Sequence, residues 1–362
     1  MNRYSATLSR LKEEGRFRAL SPAMGIDFTS NDYLGFKTHP ALRACAMEAL
    51  QNGLDIGSGG SRLLRGNHPA HEQLEHEAAE FFGCEQALFF SSGFSANHAL
   101  MTALPASHDI ILFDGLIHAS LRDGIQSNPA KHIRIPHNDV NAFEENLKNN
   151  SGKTCWIVVE SIYSMDGDFA PLADLINLCK KYNAMLVVDE AHATGVFGEK
   201  GKGLTFGLHS PNLITLHTCG KGLGVAGALV CASSEIIETL INKARPFIYS
   251  TAPMPLQALL VSKALQLCAA ADEQRAYLFA LCDLARNVFP SPPSPTPIIP
   301  YILGEEQKAL AAAMALQAKG FDVRAIRPPT VPNGSSRLRI TLNASLRKED
   351  VTALGKALWE IA

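Results

Sequence analysis

Short apolar runs that each stop at a polar residue constrain this chain more than any other feature. "ALFFSSG", "IILFD", "CWIVVES", "MLVVDEAH", "LITLHTCGK" and "GALVCAS" follow one another through its middle, with helical patterns between several of them. Apolar runs of this length predict strands buried on both faces, hence a mostly parallel sheet covered by helices. Such sheets bind ligands outside the carboxyl ends of their strands. Ser91–Gly93, His118, Ser164, Asp189–His192 and Thr218–Lys221 all fall at or just past a predicted strand end. That convergence is the first argument for a site.

The flanking segments read as helices and turns. "HPAHEQLEHEAAEFFG" has helical spacing and ends at Gly83, a C-cap residue. After about residue 255 the texture changes. "PLQALLVSKALQLCAAADEQRAYLFALCDLARNV" is a long helical stretch, and "FPSPPSPTPIIPYILG" breaks it. A helix and strand in "EQKALAAAMALQAKGFDVRAI", a strand in "SRLRITLNAS" and a helix in "RKEDVTALGKALWEIA" complete a smaller α+β domain. The expected division is an N-terminal arm over 1–45, a large domain over 46–255 and a small domain over 256–362.

Composition excludes several classes. With 362 residues, 46% hydrophobic and 19% charged, the chain has material for two domains and a large core. A net charge of -2 offers no basic field for nucleic acid or an anionic membrane. No run of about 18 apolar residues predicts a membrane span, and the charged start "MNRYSATLSRLKEEGRFRAL" lacks a signal peptide's apolar stretch. The eight cysteines include no CxxC pair and no zinc spacing, so free thiols and a cytoplasmic setting are expected, with no metal.

Lys221 in "TLHTCGKGLG" is the residue that needs a role. A phosphate-binding P-loop requires glycine where Thr215 stands and Ser or Thr where Gly222 stands, so that reading fails. By itself a lysine between glycines is ordinarily a solvated cation. Here it follows an apolar strand and precedes an uncharged stretch, where desolvation favours the neutral, nucleophilic amine. The neighbouring glycines would leave room for a cofactor. Asp189 ends another apolar run and needs a cationic partner there. Ser91, Ser92 and Gly93 open a helix after a strand, a setting for an anion. His118 and His192 add imidazoles. Each is unremarkable alone: a turn, a cap, a structural histidine. Together they supply a phosphate cradle, a carboxylate for a pyridinium nitrogen, a flat ring for stacking and an amine for a Schiff base, which is the equipment for pyridoxal 5′-phosphate.

The motifs "FTSNDYLGF", "DIGSGGSRLLRGNHPAHEQLE", "SSGFSAN", "IHASLRDG", "ESIYSMDGDFAPL", "VVDEAHATGVFGEKGKG", "HTCGKGLGVAGA", "IYSTAPMP" and "IRPPTVPNGSSRLRITLNA" run in order through nearly the whole chain. In these the chain resembles the α-oxoamine synthases among fold-type I pyridoxal 5′-phosphate enzymes. The resemblance implies a large domain with a mostly parallel seven-stranded sheet, a small C-terminal domain and a homodimer with sites at its interface. It also implies a decarboxylative acyl transfer. L-alanine and a pimeloyl thioester, on coenzyme A or acyl carrier protein, are the expected substrates; relatives that use glycine or serine are the alternative.

The resemblance further implies residue roles. Lys221 is the Schiff-base lysine and base, Asp189 the pyridinium partner, and His118 the stacking ring. His192 and Ser164 neighbour the ring hydroxyl. Ser92, Gly93, Phe94 and Thr218 hold the phosphate, and Thr251 reaches the phosphate of the partner subunit. Asn31 and Arg339 clamp the amino-acid carboxylate, while Arg327 and Thr330 contact the acyl group. The N-terminal substrate arginine is Arg18 in preference to Arg16. A non-catalytic scaffold of the same fold would have no need of Lys221, Asp189, His118 and His192 together. Cys219 stands where bulkier residues are usual and has no assigned role.

Overall fold

The predicted strands all form. The computed structural model describes residues 2–291 and 294–361. Met1, Pro292, Pro293 and Ala362, which fall in the expected N-terminal arm, proline-rich break and last helix, lie outside the described residues. The central sheet has seven strands: β1 (Gln86–Phe90), β2 (Ile110–Asp114), β3 (Lys131–Ile135), β4 (Cys155–Glu160), β5 (Met185–Asp189), β6 (Leu213–Thr218) and β7 (Ala228–Ala232). Their order is β1-β7-β6-β5-β4-β2-β3. Only β7 runs antiparallel to its neighbours; the other pairings are parallel.

The apolar runs explain the sheet. All six residues of β4 and all five of β7 are buried. Trp156, Ile157, Val158 and Val159 of β4 and Ala228, Val230 and Ala232 of β7 join a core with Leu100, Leu121, Leu175 and Ile214, each buried aliphatic side chain contributing about 1.5–3 kcal/mol. The strand with no clear apolar run, β3, lies at the sheet edge; four of its five residues are exposed or half-buried. An edge strand with one covered face lacks the signal that identified the other six. Gly83 closes the helix Pro69–Phe82 at φ 71°, as its sequence predicts.

Two compact units are present. One comprises residues 32–164 and 169–275; the other comprises 1–31, 165–168 and 276–362. This division differs in its bounds from the one expected from sequence texture. The first 31 residues belong with the C-terminal unit because Ile26–Asp27 pairs in parallel with Phe321–Asp322. That unit also holds an antiparallel sheet, Arg324–Ile326, Ser336–Thr341 and Ile298–Gly304 in that order. The long helical stretch is two helices, Pro255–Ala269 and Asp272–Val288. Between them the Arg275 guanidinium donates back to the Cys268 carbonyl at 2.8 Å, adding to the Ala271 N–H that this oxygen accepts at 3.2 Å. No helix among the described residues is long and apolar enough to cross a membrane.

Candidate active site

Strand ends of the larger unit carry the candidate residues. β5 delivers Asp189, which is 4% exposed. Its Oδ1 accepts the Ala191 N–H at 2.9 Å and its Oδ2 accepts from Asn97 Nδ2 at 2.7 Å. The same Asn97 amide donates to Ser120 Oγ at 3.0 Å, and Ser120 Oγ lies 2.8 Å from His118 Nδ1. A hydrogen-bond chain through the buried Asn97 and Ser120 therefore joins the carboxylate to the imidazole of the exposed His118. His118 is also the N-cap of α2 (Ala119–Gln126), which fixes its ring at the start of that helix. Desolvation and the Lys221 charge lower the His118 pKa from the usual imidazole value, against an upward pull from Asp189.

β6 ends at Thr218, and Lys221 follows in the next turn. Lys221 Nζ lies 2.9 Å from His192 Nε2, while His192 Nδ1 lies 2.6 Å from Tyr33 Oη. The nearby glycines are needed for packing more than for cofactor room. A Cβ on Gly222 would meet the Thr194 carbonyl oxygen at 2.3 Å, and one on Gly224 would meet Lys37 N at 2.6 Å. Only Gly220 of the three is open, with its nearest neighbour at 3.8 Å. Cys219 gains a role: it is fully buried in an apolar cluster with Leu34, Phe89, Leu229 and Val261. Burial pushes its thiol well above the usual range, so it packs as a small hydrophobe.

The anion cradle is a helix start. Ser92 caps α1 (Gly93–Ala103), accepting the Ser95 N–H on its side chain at 3.1 Å. The N–H groups of Gly93 and Phe94 precede the helical ladder and, with the helix dipole, favour an anion. A Cβ on Gly93 would stand 2.6 Å from Thr218 Cγ2, so glycine lets the Thr218 side chain pack against this turn, while its hydroxyl donates to the Ala191 carbonyl at 3.4 Å. Arg62 braces the segment before it through a bidentate pair with Glu75, at 2.8 and 2.9 Å, and Glu75 accepts the Phe89 N–H of β1. Thr251 is exposed and lines a small cleft with Ser91 and Arg62.

In the other unit, Arg339 is 7% exposed and donates to Asn31 Oδ1 at 3.0 Å and to Thr341 Oγ1 at 2.9 Å. The expected pair of Arg339 and Asn31 is thus in contact. Arg18 donates to Thr330 Oγ1 at 3.2 Å, and Arg327 donates to the Gly15 carbonyl. Arg16 is committed to Glu306, at 2.6 Å. Of the two N-terminal arginines it is Arg18 that meets another expected substrate residue.

Comparison with known proteins identifies the family. Residues 23–358 match the aminotransferase class I and II family. An 8-amino-7-oxononanoate synthase of Nitrosomonas europaea is 40% identical over 99% of this chain and 98% of its own length. The chain belongs to the 8-amino-7-oxononanoate synthase family. Among solved structures, a crystallised 8-amino-7-oxononanoate synthase of Francisella tularensis matches 93% of this chain and 97% of its own, with 28% identity and a TM-score of 0.79. A serine palmitoyltransferase from S. paucimobilis, with a bound PLP–myriocin aldimine, covers 99% and 96%, with 25% identity and a TM-score of 0.90. The resemblance read from the motifs and its fold-type I architecture are both borne out.

For an 8-amino-7-oxononanoate synthase family member, the donor set described here fits pyridoxal 5′-phosphate: the N–H groups of Gly93 and Phe94 at a helix start, a buried carboxylate, an imidazole and an amine. Four polar residues around it had no assignment from sequence. Asn97 and Ser120 lie within quoted motifs, but only the fold shows that they bridge Asp189 and His118. Glu160 ends an apolar run and Tyr33 lies in a quoted motif, but the sequence alone assigns neither a role.

Glu160 is 2% exposed and sits opposite Asp189 in the β4–β5 register. It accepts the main-chain N–H of Ser164 at 3.2 Å and also that of His118. Burial first, and then the Asp189 charge, push its pKa from 4.5 up to about 8, with Lys221 and the two N–H groups pulling back. Between those values the native state holds a proton that the unfolded chain has lost, so this residue's contribution to stability falls as pH rises, by up to about 1.4 kcal/mol per pH unit. Glu160→Gln removes that titration and keeps an acceptor. In melting curves of cofactor-free protein, the variant should gain on the parent from about pH 5 to about pH 9; a constant difference would show that Glu160 titrates normally.

Proposed function

We propose that the chain catalyses decarboxylative condensation of L-alanine with a pimeloyl thioester, giving 8-amino-7-oxononanoate, CO2 and a free thiol, a step of biotin biosynthesis. The cofactor is pyridoxal 5′-phosphate. The observation that carries this reading is a chain alignable from end to end with such synthases, in which Lys221, His192, Asp189 and His118 stand at the strand ends of one unit.

When bound, the cofactor acts as an electron sink that makes bond cleavage at the amino acid's Cα accessible. The protein's residues then divide the work. Lys221 holds the cofactor covalently and, when released, takes the Cα proton on Nζ. Asp189 keeps a proton on the ring nitrogen by charge, with its orientation fixed by Asn97 and the Ala191 N–H. His118 faces the ring, and Ser164 and His192 flank its hydroxyl side. Ser92, Gly93, Phe94 and Thr218 take the phosphate, with Thr251 serving the partner's. Arg339 and Asn31 take the substrate carboxylate; a guanidinium can hold it by two parallel bonds and so orient Cα. Arg18, Arg327 and Thr330 serve the acyl group.

The proposed assembly is a homodimer. Ile56, Leu63, Leu64, Tyr249 and Met254 are between 45% and 84% exposed, a density of open apolar side chains in two short stretches that suits burial by a second copy. The eight cysteines are free thiols, which suits a cytoplasmic enzyme. Steady-state assays with alanine, glycine and serine, each against pimeloyl-CoA and pimeloyl-acyl carrier protein, test the function and choose the carrier. Alanine is expected to support turnover; clear turnover with glycine or serine and none with alanine would replace this reading by that of a sibling synthase.

A further inference from the structure

We propose that Tyr33 is a positioning residue for Lys221: through His192 its hydroxyl sets which way the proton lies at the lysine's amine. The inference rests on two contacts that join three side chains. Tyr33 Oη is 2.6 Å from His192 Nδ1, and Lys221 Nζ is 2.9 Å from His192 Nε2. Tyr33 is 1% exposed and His192 4%, so water does not readily substitute for either partner. The rings meet edge to face, with centroids 6.1 Å apart.

The chain of contacts is held at both ends by the same packing. The Asp32 carboxylate accepts the N–H groups of Phe36 at 2.8 Å and Lys37 at 3.2 Å, closing the turn that carries Tyr33. Gly224, three residues after Lys221, abuts that turn so closely that a Cβ would lie 2.6 Å from Lys37 N. The Tyr33 turn and the Lys221 turn are therefore packed directly against each other.

Imidazole chemistry turns this geometry into a function. A neutral amine at Lys221 accepts a hydrogen bond from Nε2–H, and Nδ1 then accepts from the Tyr33 hydroxyl. An ammonium at Lys221 donates to Nε2, and Nδ1–H then donates to the Tyr33 oxygen. A hydroxyl serves both arrangements because it can donate or accept. From the second arrangement the proton can pass to His192: an N–H bond on Nζ breaks and leaves its electron pair there. A new N–H bond forms on the Nε2 lone pair, giving an imidazolium whose Nδ1–H rests on Tyr33 Oη. No other reactant is needed. His192 is the local acceptor for a proton collected by Lys221, and Tyr33 makes it a better one. Asp189, Glu160 and His118 also surround the lysine, and their charges couple to it or to one another; Tyr33 adds a directional bond to that field.

The proposal rests on Lys221 being the cofactor-bearing lysine. Protein that never acquires the cofactor's visible absorption would defeat that reading before Tyr33 is tested. With the parent loaded, Tyr33→Phe keeps the ring and removes the hydroxyl. In the loaded enzyme, the midpoint of the pH titration of the lysine-bound chromophore should move by about one unit. kcat should fall about tenfold, the worth of one ordinary hydrogen bond, with the alanine KM within about twofold. A purely structural role would lower the melting temperature and leave the midpoint in place, and that result overturns the proposal. If the phenylalanine variant does not hold cofactor, replacement of Tyr33 by 3-fluorotyrosine, which retains the hydroxyl but acidifies it, must move the same midpoint; an unchanged midpoint overturns it.

Discussion

Lys221→Ala is expected to bring turnover down at least about 10³-fold, because it removes both the proposed nucleophile and the proposed base from one position. The Gly93–Thr218 cradle and Asp189 stay in place, so the variant should still bind cofactor, but without the absorption of the lysine-linked form. Lys221→Arg separates charge from nucleophilicity. A guanidinium keeps the cation next to His192 but stays protonated, so its turnover should be as low as that of the alanine variant. Single-turnover assays with alanine, followed by absorbance, check both variants. Turnover within about tenfold of the parent in either one would exclude Lys221 from the chemistry.

Asp189→Asn should be nearly as severe, with kcat lowered by about 10²- to 10³-fold. The substitution keeps the side chain's shape and an oxygen for Asn97 or the Ala191 N–H, so folding should survive. What it removes is the buried charge, and only a charge holds a proton on a neighbouring ring nitrogen at neutral pH. The expected pattern is a large loss in kcat accompanied by weaker cofactor retention, measured by dialysis and reloading. Unchanged kcat with intact cofactor content would mean that Asp189 serves the fold through Asn97 and Ala191 and not the reaction. Because Asp189 also raises Glu160, its removal should bring the Glu160 titration down towards the usual carboxylate range.

Much of the site was legible because of where its residues fall in the chain. Asp189 and Thr218 end apolar runs, and Gly93 starts a helix after another; a parallel sheet places such ends on one edge. Lys221 stood out from its uncharged surroundings. Residues acting through another residue carried no such mark. Asn97 lies in the middle of a helix start, and nothing local says that its amide reaches both Asp189 and Ser120 across gaps of 92 and 23 residues. Tyr33 looked like part of a turn, 159 residues from the histidine it meets. The edge strand β3 escaped notice because half its pattern is solvent-facing.

The sequence by itself determined the layered α/β architecture, the family and the residues able to do chemistry. The architecture depends on hydrophobic period and the chemistry on residue type, both local properties of a chain, while the family rests on motifs that resemble those of the α-oxoamine synthases. Tertiary structure decided which groups share a proton or a hydrogen bond. It gave His192 to Tyr33 and Lys221, set Glu160 against Asp189, committed Arg16 to Glu306, and made Gly222 and Gly224 packing residues. Such pairings depend on contacts between segments far apart in the chain. A hydrogen bond requires its atoms within about 3 Å of each other, and only the folded chain sets distances that short.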